Sequence, residues 1–95
     1  MPKEIFPASF VSPKVPYTSL QGQYLAFIHY FNLVNGQPPA HSDFQRYFRT
    51  TPPAVNQMLK TLEKKGLISK VPGKPRAISL VLSREELPDL EPVSA

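Results

Sequence analysis

Residues 51–66 carry both ends of a helix in their own letters. Thr51 offers a hydroxyl to the free N–H groups of a helix start, and Pro52 suits the first helical position, where no N–H partner is needed. Gly66 suits the left-handed residue that closes a helix, and Lys64 and Lys65 complement the negative end of the dipole just before it. Between these marks Val55, Met58, Leu59 and Leu62 fall at i, i+3, i+4 and i+7, which predicts one apolar stripe. The rest of the chain must supply a core for that stripe and leave the opposite face open.

That opposite face is small, amide-bearing or basic: Pro53, Ala54, Asn56, Gln57, Lys60, Thr61 and Lys64, with Glu63 as the sole acid of the helix. A solvated helix usually mixes both charge signs. A helix that enters a nucleic-acid groove needs short residues at its start, amides or arginine for base edges, and cations for phosphates. This helix supplies that set without an arginine. A plain solvated face is the competing reading.

Charge is distributed to match. The net charge is +4, yet residues 44–76 hold eight Lys or Arg against Glu63 alone, whereas after residue 83 one Arg84 faces Glu85, Glu86, Asp89 and Glu91. A concentrated basic segment is the footprint expected for a phosphate backbone, and a generally basic surface is its alternative. Ninety-five residues make one domain. Without cysteine there are no disulfides or thiolate metal sites. No apolar run approaches a membrane span and the first residues lack a signal-peptide layout, so a soluble, cytoplasmic protein is expected.

Taken in order, residues 1–17 contain four prolines with Phe6, Phe10 and Val15 among them, which predicts an extended arm. Thr18 or Ser19 should cap a first helix running to about Val34, stopped by Gly36. Leu20, Tyr24, Phe27, Ile28 and Phe31 are its expected core stripe. His29 and His41 lie twelve positions apart with no third ligand near, so packing or surface roles are expected, and no metal. Residues 41–48 predict a short second helix with Phe44, Tyr47 and Phe48 turned inward, followed by a tight turn at Arg49 and Thr50. Two helices this close match a helix-turn-helix. Residues 67–71 and 76–82 predict two strands around a Pro72-Gly73-Lys74-Pro75 turn, with Ile78, Leu80 and Leu82 sharing a face. The domain is placed at 18–82, and 83–95 reads as an acidic tail.

The expected fold is mainly α with a small β-hairpin: a winged helix-turn-helix of three helices and a two-stranded wing. The chain resembles one family of that class in particular. Leu20, Gln23-Tyr24-Leu25 and Phe27-Ile28, then Gly36-Gln37-Pro38-Pro39, are similar to the first helix and connector of the DNA-binding domain of LexA repressors. Thr51-Pro52-Pro53-Ala54-Val55, Leu59-Lys60 and Leu62-Glu63-Lys64-Lys65-Gly66-Leu67-Ile68 resemble that family's recognition helix and first strand, and Pro72-Gly73-Lys74-Pro75-Arg76-Ala77-Ile78 its wing. The resemblance spans about residues 18–82, and the pattern from Leu59 to Ile68 is shared across winged-helix families.

This resemblance implies sequence-specific duplex binding with the third helix in the major groove. The positions that read bases would be Thr51, Pro53, Ala54, Asn56 and Gln57. The family's base-reading Asn is Pro53 here, and its acidic pair is Asn56 and Gln57, so a different operator is expected. Ala40 replaces the usual capping Thr of the second helix. LexA repressors continue into a self-cleaving domain that supplies most of the dimer contact. The sequence stops before such a domain, so neither self-cleavage nor a DNA-damage response by that route is expected.

The leading reading is therefore a small double-stranded-DNA-binding regulator. Asn56 and Gln57 would meet base edges, Thr51 or the helix N-terminus a phosphate, and Arg46, Arg49, Lys60, Lys64, Lys74 and Arg76 would neutralise the backbone. A homodimer or helper protein is expected, because one module buries little surface on DNA. The alternative is a winged-helix protein-interaction module working through its arm and tail on a transcription or replication protein. An enzyme is not expected: there is no Cys nucleophile, no clustered His, and the four glycines are dispersed. No cofactor or small-molecule ligand is implied.

Overall fold

In a computed structural model, residues 17–71, 73 and 78–92 are described. Three α-helices, α1 (Ser19–Asn35), α2 (His41–Phe48) and α3 (Pro52–Lys64), precede an antiparallel pair, β1 (Ile68–Lys70) and β2 (Ile78–Leu80), and a 3-10 turn at Arg84–Glu86. This is the winged helix-turn-helix expected from the sequence. The arm at 1–16 and the wing tip, with Lys74 and Arg76, lie outside the described residues.

Each helix begins and ends for a local reason. Thr18 and Gln21 close a reciprocal box: the Thr18 hydroxyl accepts the Gln21 N–H at 3.2 Å, and Gln21 Oε1 accepts the Thr18 N–H at 3.0 Å. Gly36, at φ 75°, ends α1 with its N–H on the Asn32 carbonyl. α2 starts at Ala40, which has no side-chain acceptor. Asp43 supplies half the missing cap by accepting the Ala40 N–H at 2.8 Å. α2 ends on Arg49 at φ 53°, a left-handed conformation that costs a non-glycine residue energy. Gly66 takes the corresponding position after α3 at φ 77°, where the Leu67 N–H reaches the Leu62 carbonyl.

The core gathers one face of every element. Tyr24, Leu25, Phe27 and Ile28 of α1 meet Phe44 of α2, Val55, Leu59 and Leu62 of α3, and Leu67, Ile68 and Ile78 of the hairpin. Rings stack where α1 crosses α2: Tyr24 lies 4.2 Å from Phe48 and 5.4 Å from Phe44, and Phe27 lies 4.7 Å from Tyr47. The stripe expected on α1 needs correction. Leu20 is 53% exposed and Phe31 only half-buried, whereas Leu25 and Ala26 are fully buried. α1 is wrapped by α2, by β2 and by the returning chain, so its buried arc is wider than one stripe and centred elsewhere.

The strands pair in the register Ile68–Leu80, Ser69–Ser79, Lys70–Ile78. Ile78 is buried and Leu80 and Leu82 are half-buried, as their alternation predicted. From residue 83 to residue 92 the chain stays on the body. Leu87 is buried in the core, the Tyr17 hydroxyl donates to the Glu86 carbonyl at 2.7 Å, and residues 89–91 lie along α1 and α2. Gly22 makes the approach possible. A Cβ there would stand 2.7 Å from the Tyr17 ring and 3.1 Å from Pro88.

Candidate nucleic-acid interface

α3 is placed by what it buries. With Val55, Leu59 and Leu62 at 0% exposure, the helix can face the body in one rotation only, and the opposite side is turned outward. Thr51, Pro53, Ala54, Asn56, Gln57, Lys60 and Lys64 are all exposed on or around it. Asn56, Lys60 and Lys64 follow one another at successive turns, with Pro53 and Gln57 on the neighbouring row. Met58 and Thr61 form the half-buried flank, and the Thr61 hydroxyl donates to the Gln57 carbonyl at 3.0 Å, within the helix. The face spans roughly 20 Å at helical rise, with no bulky side chain in its first two turns. A helix with that profile fits the major groove of a duplex.

The N-terminus of α3 is chemically narrower than most. Pro52 and Pro53 have no N–H, and the Ala54 N–H is bonded to the Thr51 hydroxyl oxygen at 3.4 Å. The first turn therefore presents little N–H surface to an anion. The Thr51 hydroxyl hydrogen remains able to donate while its oxygen accepts the Ala54 N–H. Of the two phosphate contacts expected from the sequence, the Thr51 side chain and the helix N-terminus, the second has few N–H groups to offer because Pro52 and Pro53 open the helix.

The cations separate into classes. Lys60 and Lys64 are exposed on α3. Arg46 and Arg49 stand at the end of α2, beside the turn that leads into α3. Arg46 is bridged to Asp43 at 3.3 Å, but its side chain is 77% exposed while the carboxylate is 9% exposed. That pairing leaves the guanidinium with donors to spare. Lys65, although exposed overall, is turned inward: its ammonium donates to Gln21 Oε1 at 2.8 Å. Lys74 and Arg76 lie outside the described residues. The structure thus brings Arg46, Arg49, Lys60 and Lys64 together with Thr51, Asn56 and Gln57 on the helix-turn-helix.

Two features of this surface have no counterpart in the sequence reading. One is the use of Lys65 as an internal tie. The other is the returning chain, which reaches the same region: Glu91 and Pro92 share a recess of about 250 Å³ with Phe48 and Thr50, and Pro92 shares one of about 570 Å³ with Arg46, Tyr47 and Arg49. Among the described residues, no group of three or more His, Cys, Asp or Glu could hold a metal ion, and no helix is long and apolar enough to cross a membrane.

Comparison with known proteins points the same way. A family model described as the LexA DNA binding domain matches residues 15–77. The chain is 42% identical over 66 residues to a LexA repressor of Thermotoga neapolitana, covering 70% of this chain and 34% of that protein. It is 42% identical over 72 residues to a LexA repressor of Thermotoga maritima, covering 75% of this chain and 36% of that protein. A LexA repressor of Thermosipho melanesiensis is 36% identical over 70 residues, which is 74% of this chain and 35% of that protein. The chain spans 34–36% of the length of these relatives.

Proposed function

The chain belongs to the LexA DNA-binding domain family, and from that footing we propose that it is a sequence-specific double-stranded-DNA-binding transcriptional regulator. α3 lies in the major groove and the wing follows the backbone. The observation that carries this reading is the exposed face of α3, where short residues, two amides and two lysines occupy the side opposite a fully buried stripe. Asn56 and Gln57 are the base readers, each able to give and accept a hydrogen bond at one base edge. Pro53 and Ala54 allow close approach and offer apolar contact to a thymine methyl. Thr51 donates to a phosphate, and Arg46, Arg49, Lys60 and Lys64 neutralise the backbone around it, with Lys74 and Arg76 doing so from the wing.

Two copies act on adjacent half-sites, because a single module of this size gives too small a contact for useful affinity. The protein then works at the nucleoid in the cytoplasm. Retention of random duplexes, followed by sequencing at low and near-physiological salt, tests the reading. A recovered motif, palindromic if two copies bind, is the expected result. Failure to retain any duplex at low salt refutes it.

A further inference from the structure

Residues 83–92 follow the stretch matched by the family, which ends at 77, yet they are fastened to the domain at several points. The side chain of Gln23 grips the backbone from both sides, donating from Nε2 to the Asp89 carbonyl and accepting the Glu91 N–H at Oε1, each at 2.8 Å. Tyr47 of α2 donates its hydroxyl to the Glu91 carbonyl at 2.8 Å. Leu87 anchors the segment in the core. All three polar contacts run to backbone atoms. The carboxylates of Asp89 and Glu91 are not needed for docking, and both residues are exposed.

Their position gives those charges a consequence. Glu91 lines the same recess as Thr50, the residue before the Thr51 cap of α3. Its neighbour Pro92 lines a recess with Arg46 and Arg49. The acidic end of the segment is therefore laid against the turn of the helix-turn-helix, beside the cations and the hydroxyl that would meet phosphate. Exposed charges closer than the Debye length, about 10 Å at 0.1 M salt, are screened only in part, and more strongly as salt rises.

We propose that residues 89–92 form an acidic strap, fixed by Gln23 and Tyr47, that repels the DNA backbone at the turn into α3 and holds duplex affinity below what the cationic face alone would give. The proposal rests on the DNA-binding reading above. The strap acts through Asp89 and Glu91 by placement. An equal charge elsewhere on the surface has much less effect, since repulsion falls with distance and with screening.

The test compares two variants of identical charge change, Glu91→Gln and Glu85→Gln, the latter on the 3-10 turn and lining neither recess beside the helix-turn-helix. Affinity for the duplex recovered by selection is measured at low and at near-physiological salt. Glu91→Gln is expected to bind about twofold more tightly than the parent at low salt, with the gain shrinking as salt rises, and Glu85→Gln to match the parent. Thermal midpoints should stay unchanged in both, because docking uses the backbone. If the parent binds and Glu91→Gln is no tighter than Glu85→Gln, the strap proposal falls alone. If neither parent nor variant holds any duplex at low salt, the DNA-binding reading falls and takes this one with it.

Discussion

Lys65 donates its ammonium to Gln21 Oε1 at 2.8 Å, tying the C-terminal end of α3 to the first turn of α1. The same oxygen accepts the Thr18 N–H, so one largely buried glutamine both caps α1 and receives the lysine. Its neighbour Lys64 points outward on the candidate DNA face. Adjacent lysines therefore have separate duties. Lys65→Ala should lower stability by about 1 kcal/mol, the scale of a charge-assisted hydrogen bond reduced for partial exposure, while hardly altering the salt dependence of DNA binding. Lys64→Ala should do the reverse, leaving the urea midpoint in place and reducing the slope of log affinity against log salt by about 0.9. Urea denaturation beside a salt titration of binding checks both, and identical behaviour of the two lysines would show the division to be wrong.

Asn56 and Gln57 are exposed, and neither side chain helps to hold α3 in place. Alanine at either position should shift stability by no more than about 0.5 kcal/mol. At the base it reads, each substitution should cost about 1–3 kcal/mol of discrimination. The expected outcome in a repeat selection is a motif degenerate at one or two positions and otherwise intact. Uniform weakening across all sequences would instead assign these amides to the backbone.

The parts of the fold legible in the sequence are those written in single residues or short periods. Thr18, Thr51, Gly36 and Gly66 mark helix ends because a hydroxyl or a positive φ is required there. The polar face of α3 follows from the helical period once Val55, Leu59 and Leu62 are assigned inward. Other features depend on partners that no period encodes. Gln21 and Lys65 are 44 positions apart. Leu20 and Leu25 are equally apolar, and only the wrapping of α1 decides which is buried. The strap is hidden most completely. Leu87 and Leu90 sit among four acids, so composition argues for solvent, while the contacts that hold the segment use the carbonyls and N–H of residues 86–91, which carry no residue signature. Gly22 is the one letter that hints at it.

In an open helix, replacing that glycine by alanine would gain about 1 kcal/mol of helix propensity. Here the added methyl would meet the Tyr17 ring at 2.7 Å and Pro88 at 3.1 Å. Gly22→Ala should therefore lift Tyr17 and the strap from α1 while α1 itself strengthens. Hydrogen exchange is the appropriate measurement. The Glu91 N–H should lose protection relative to the parent, with the amides of Leu25 and Leu59 keeping theirs. Unchanged protection at Glu91 would mean that the ring and proline shift aside at little cost.

Tyr17 gives the packing of the returning chain at Glu86 a pH dependence of known sign. Burial, and secondarily the Glu86 carboxylate, raise its hydroxyl above the ordinary value of 10.0. The folded state therefore binds the proton more tightly than the unfolded chain, and stability is fully present below about pH 10, lost as pH rises through the raised folded value. Ionisation also removes the donor of the 2.7 Å bond to the Glu86 carbonyl. Tyr24, raised by burial in the core, acts in the same direction, so some alkaline loss persists without Tyr17. Urea midpoints from pH 8 to 11 should fall for the parent and fall less steeply for Tyr17→Phe, which starts lower because it lacks the bond. Parallel curves would mean that the bond from the Tyr17 hydroxyl to the Glu86 carbonyl contributes nothing to stability.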